Sequence, residues 1–189
     1  MKPTARRNAA AGALLALFAA APAAGQSALD RGPNVTDGWT GRSGVLHFHF
    51  IHRFNAGAAP ARKVTNSPTF LLAASLPARL LAGARYATAS DVVRAYPNEW
   101  EFFARWAPLA PAEGPALGGA LTAAYNLAAR SIDAEATTAR SFGRLRLIAG
   151  ARVFSNAYGA GEARGALAAG AAVRLTRHIA ILGDAASLL

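Results

Sequence analysis

Few residues in this chain are of a type and spacing to do chemistry. His47 and His49 stand two apart; on a strand, alternate side chains share a face, so both imidazoles could approach one metal ion. A third ligand would have to come from elsewhere: His52 falls on the opposite face, His178 is remote, and no carboxylate stands in register nearby. The pattern therefore predicts polar lining and no metal site. Ser43, Ser75 or Ser141 could pair with one of these histidines as a hydrolase nucleophile, but no flanking motif supports it, and no catalytic residue is assigned. Glu99 and Glu101 share a face in the manner of paired acid/base carboxylates. Salt bridging to arginines that would otherwise be buried unpaired is the simpler role. Asn34-Val35-Thr36 matches a glycosylation sequon, which has no consequence in a bacterial host. The absence of cysteine excludes a disulfide framework, a thiolate metal site and covalent c-type haem. No glycine-rich phosphate loop is present. The chain is expected to be non-enzymatic and to carry no cofactor.

The elements that would position these residues begin after a targeting signal. Lys2, Arg6 and Arg7 precede an apolar stretch from Ala9 to Ala21, then Pro22 and the small residues Ala23, Ala24 and Gly25. This is the layout of a cleaved secretory signal peptide, too short to span a bilayer as a helix. Residues 1–25 are read as the signal, 26–43 as an N-terminal periplasmic segment and 44–189 as one β-barrel domain. With no cysteine after the signal, a lipid anchor is not expected. The formal charge of +10 falls to about +7 without Lys2, Arg6 and Arg7. The remaining basic residues are scattered singly, so no phosphate-tracking face forms and no nucleic-acid partner is expected.

From Gly44 onward the period is two. Leu46, Phe48, Phe50 and Phe54 oppose His47, His49 and Arg53; Trp100, Phe102, Ala104 and Trp106 oppose Glu99, Glu101 and Arg105. Leu117, Leu121, Tyr125 and Leu127 oppose Thr122 and Asn126; Leu145, Leu147, Ala149, Ala151 and Val153 oppose Arg144, Arg146 and Arg152. Two strands around Pro77-Ala78-Arg79 place Arg85 opposite Tyr86, Arg174 opposes Val173 and Leu175, and a final strand runs roughly from His178 to Ala185. This makes about eight strands.

Alternation is common to a soluble barrel with an apolar interior and a transmembrane barrel with a polar one. Three features favour the second. The chain is exported, only 16% of it is charged against 53% hydrophobic, and Trp100, Trp106, Tyr86 and Phe54 fall near strand ends on the apolar face, where interfacial aromatics belong. The connections alternate long (Asn55–Ser67), short (around Pro77) and long (Ala87–Pro97). The rule then weakens, with a short Thr176-Arg177 where a long loop was due.

The strand Gly44-Val45-Leu46-His47-Phe48-His49-Phe50-Ile51-His52-Arg53-Phe54 resembles the opening strand of an uncharacterised family of bacterial outer-membrane β-barrels, in which a His-Arg-Phe-Gly motif ends the first strand. Asn55 here replaces the glycine. A hairpin like Leu71–Tyr86, an acidic-aromatic strand like Glu99-Trp100-Glu101-Phe102, Ala124-Tyr125-Asn126 and Arg144-Leu145-Arg146-Leu147 are similar too. Family members usually continue with further strands beyond a segment like Leu182–Ala186, so the resemblance implies an incomplete or truncated barrel and no activity.

The expected fold is an all-β, antiparallel, up-and-down transmembrane β-barrel in the cell outer membrane, with the lipid bilayer as partner and small solutes in its interior. It would act as a passive pore or structural envelope component. His47, His49, Arg53, Arg85, Glu99, Glu101, Arg105, Asn126, Arg144, Arg146, Arg152 and Arg174 are expected to line the lumen, with modest anion preference from Arg144, Arg146 and Arg152. The alternative is a soluble periplasmic β-barrel that binds an apolar ligand, with Phe48, Phe102 and Trp106 pointing inward.

Overall fold

The computed structural model describes Val35 and residues 38–56, 64–87, 99–109, 117–176 and 178–189, with side chains except at 51–56, 64–68, 87, 158 and 188. The expected signal peptide at 1–25 and the side chains of Arg53, Phe54 and His52 lie outside the described residues.

The alternating segments form nine strands: β1 (Leu46–Ala56), β2 (Val64–Leu76), β3 (Leu80–Ala87), β4 (Glu99–Leu109), β5 (Leu117–Asn126), β6 (Ser131–Phe142), β7 (Leu145–Phe154), β8 (Arg164–Arg174) and β9 (Ala180–Leu188). They make one antiparallel up-and-down sheet in chain order. The sheet is not closed: β1 pairs only with β2 and β9 only with β8 among the described residues.

The strand beyond the expected eight is β6. Its sequence, Ser-Ile-Asp-Ala-Glu-Ala-Thr-Thr-Ala-Arg-Ser-Phe, alternates in polarity but has almost no bulky apolar residues to announce it. With β6 in place, the connection 155–163 falls at the same end as 57–63 and 88–98. The short connection before β9 then lies at the opposite end, with the tight turns at 77–79 and 143–144. One uncounted strand accounts for these two connections, while 110–116, at the end with the tight turns, is still longer than 127–130 at the other.

Turn chemistry fixes register locally. Phe142 pairs with Leu145 around Gly143-Arg144, and Gly143 has φ +60, the conformation glycine supplies at the first central position of a tight hairpin. At the β2–β3 turn, Ala78 and Arg79 have φ 58 and 59 without being glycine.

The sheet is strongly curled. Arg152 on β7 reaches Glu101 on β4 at 2.6 Å, although three strand spacings in a flat sheet amount to about 14 Å. The concave side is buried; the convex side is exposed. On β4 the burial alternates without a break from Glu101 to Ala107, with Trp100, Phe102 and Trp106 outward.

Candidate functional site

Two faces of opposite chemistry are the features of this sheet that bear on function. The outer face presents Leu46, Phe48, Leu121, Ile132, Leu147 and Leu167, all exposed. Phe50, Phe70, Tyr86 and Trp100 are direct cross-strand partners on β1 to β4 and form a continuous row of rings, with successive centroids 4.8, 6.2 and 4.8 Å apart. Among the described strand residues, Arg140 is the only charged side chain on this face. It lies close to the β6–β7 turn, with its guanidinium 5.0 Å from the ring centre of Phe142.

The inner face holds an ion-pair network. Arg152 donates from Nη2 to Glu101 and to Asp133, each at 2.6 Å. Arg85 sits 3.4 Å from the other Glu101 oxygen. Ser131 donates to Asp133 at 2.5 Å. Arg105, 2% exposed, donates from Nε to Thr122 at 2.9 Å and lies 3.5 Å from Glu135. Asn126 donates to Glu99 and accepts from the Ala129 amide. The strand parity that points the outer residues into solvent points these inward. Because Arg152 is held between two carboxylates, it offers little free charge to a passing anion.

The structure therefore brings Arg85, Glu101, Arg105 and Arg152 together with Asp133 and Glu135, and places Glu99, Asn126 and Arg146 on the same concave side. His47 and His49 lie on it at the β1 edge. Arg144 is elsewhere: it occupies the exposed β6–β7 turn and donates to the Leu175 carbonyl at 3.3 Å. Arg174 is exposed at the end of β8. Asp133 and Glu135 sit on β6, whose sequence has almost no bulky apolar residues to mark it as a strand.

His47 Nε2 and Ser75 Oγ are 2.8 Å apart, the separation of a nucleophile and its base. The hydrogen-bond direction argues against that role. Ser75 donates to the Thr40 carbonyl at 2.5 Å, so the imidazole must donate to the hydroxyl and cannot withdraw its proton. Ser75 is also 2% exposed. The pair fastens the chain ahead of β1 to the wall of the sheet. No cluster of three or more potential metal ligands occurs among the described residues. Trp39 packs edge-on against His47, centroids 4.6 Å apart, and lies 5.9 Å from His49.

The inner face also carries two apolar clusters that alternation did not foretell. Leu71, Ala73, Leu81, Phe103 and Ala124 pack with Trp39. Val35, Ala139 and Ile148 pack with Ala168 and Leu182. Each contains a residue from the chain ahead of β1. The signal in the sequence was bulky apolar residues at polar-face positions, such as Phe103 between Glu101 and Arg105. Comparison of the chain with protein-family models, with curated proteins and with solved structures returned no match.

Proposed function

We propose that this chain is an outer-membrane β-barrel protein that acts as a passive pore or structural component of the envelope, without enzymatic activity. The observation that carries the reading is the outer face: exposed, apolar, and charged only at Arg140 among the described strand residues. Water-facing sheets place charge outward, whereas strands in hydrocarbon turn it inward. Strands of 8 to 13 residues suit a tilted crossing, for which roughly 9–11 are needed. The aromatic row across β1 to β4 has the composition of an interfacial girdle, and the segment 1–25 supplies an export signal.

The soluble alternative, a barrel closed around an apolar ligand, requires its bulky residues inside. Phe48, Phe102 and Trp106 are instead outward and 64%, 50% and 47% exposed. Fractionation tests the reading. The mature chain should stay with the outer membrane after carbonate washing and require detergent for extraction. Recovery in the soluble periplasmic fraction would refute it.

A further inference from the structure

Ahead of β1, Val35 and residues 38–41 lie against the concave side of the sheet, each anchored to a different part of it. At the β7–β9 end, the Val35 amide donates to Asp184 at 2.9 Å. The Val35 side chain lies over two glycines on neighbouring strands, where a Cβ would come within 2.9 Å of it at Gly150 and 3.3 Å at Gly170. Those glycines form a socket shaped to that side chain. At the β1–β4 end, the Trp39 ring stands against His47, the Trp39 carbonyl accepts from Arg105 at 3.4 Å, and the Thr40 carbonyl accepts from Ser75. Gly41, with φ +71, passes so close that a Cβ there would lie 2.5 Å from Ser75 Oγ and 2.6 Å from His47 Nε2.

The apolar clusters explain why the walls are built this way. Leu71, Leu81 and Phe103 beneath Trp39, and Ile148 and Leu182 around Val35, would face lumen water if this segment were elsewhere. Burying one such side chain is worth roughly 1.5–3 kcal/mol, so two apolar docking points and several hydrogen bonds make the segment a fixed part of the interior. We propose that Val35 and residues 38–41 form a built-in plug that limits permeation through the lumen, with the Val35 socket as its releasable end. This rests on the membrane-barrel reading above.

The test uses the full mature chain, reconstituted and read by KCl conductance in planar bilayers and by arabinose-driven swelling of liposomes. Val35→Asp sets a carboxylate against Asp184 in an apolar socket, and Gly150→Val fills the socket from the wall; both should release that end. Each should raise conductance and swelling rate at least tenfold over wild type. Because the chain has no native cysteine, Val35→Cys with Gly170→Cys makes a single possible bridge. The new sulfur would stand near the atom now 3.3 Å from the Gly170 Cβ position. Oxidised, it should lower conductance and swelling below those of the same variant reduced, a result that does not depend on the release variants folding. Release variants that insert and migrate as folded chains yet conduct like wild type would overturn the plug, as would conductance and swelling equal in the oxidised and reduced bridge variant. Both results would leave the membrane reading intact. A chain that resists every attempt at insertion and stays soluble without detergent would overturn both.

Discussion

Ala149 offers a clean test of what the outer face contacts. It is the fifth of the ten residues of β7, exposed on the outer side, with Thr138 and Ala169 as its cross-strand partners. An arginine placed there therefore meets no bulky side chain directly across either neighbouring strand. The nearer strand end is four residues away, roughly 13 Å along the strand and, at a tilt of about 45°, roughly 9 Å of depth. Snorkelling can recover only part of that depth. If the outer face lies in hydrocarbon, Ala149→Arg should cost about 2–4 kcal/mol, a roughly 30- to 700-fold drop in the folding equilibrium. If that face meets water, an exposed alanine-to-arginine change should stay within about 0.5 kcal/mol. The assay is guanidinium unfolding of the chain in lipid vesicles, with Ala149→Leu as a control that should be neutral or stabilising. A cost for Ala149→Arg below about 1 kcal/mol, with the leucine control equal to wild type, would refute the assignment of this face to lipid.

Arg152→Met leaves Glu101 and Asp133 facing one another without their shared cation. It should destabilise by about 3 kcal/mol in vesicle unfolding, and adding Asp133→Asn should return part of that loss. Gly83→Ala would put a Cβ 2.3 Å from the Leu72 carbonyl oxygen and 2.6 Å from the Ala73 Cα, both backbone atoms of β2. The folded, heat-modifiable band on electrophoresis should fall sharply, with a cost of roughly 1–3 kcal/mol or more. Ala78→Gly relieves a positive-φ alanine in the β2–β3 turn and should raise the unfolding midpoint by the equivalent of up to about 1 kcal/mol, whereas Ala78→Val should lower it.

The legible parts of this chain were those where side-chain bulk and polarity agree. On β4, Trp100, Phe102 and Trp106 against Glu101 and Arg105 make the strand and its two faces readable at once. On β6 the alternation is the same, but alanine and threonine stand where leucine would, so nothing distinguishes it from a polar connection. Without it, Arg152 keeps Glu101 but loses its second carboxylate, Asp133, and Arg105 loses Glu135. Phe103 and Ile148 were visible as exceptions to alternation, but the reason for them is tertiary, because each packs beside a residue from before β1. That segment has no period of its own. Gly150 and Gly170 read as strand fillers until Val35 is placed above them. The proximity of Ser75 and His47 was open to guesswork from residue type, yet only the acceptor at Thr40 decides which atom holds the proton.

The strand count bears on how such a sheet stays rolled. Nine antiparallel strands put β1 and β9 in the same direction, so any seam between them within one chain would be parallel, unlike the antiparallel seams of even-numbered bacterial barrels. Hydrocarbon does not tolerate open edges, since each unpaired backbone group there costs several kcal/mol. The membrane reading thus requires the two edges to be brought into reach of a partner strand. The segment ahead of β1 bounds that reach. The Val35 amide is on Asp184 of β9 and the Thr40 carbonyl on Ser75 of β2. Six residues span at most about 20 Å, so the β9 wall and the β1–β2 wall cannot splay farther than this while both contacts hold. The plug is therefore also a tie-rod for an unclosed sheet. Releasing Val35 should do more than open the lumen: it should let the free edges drift apart and lower the stability of β8 and β9 before that of β4 and β5.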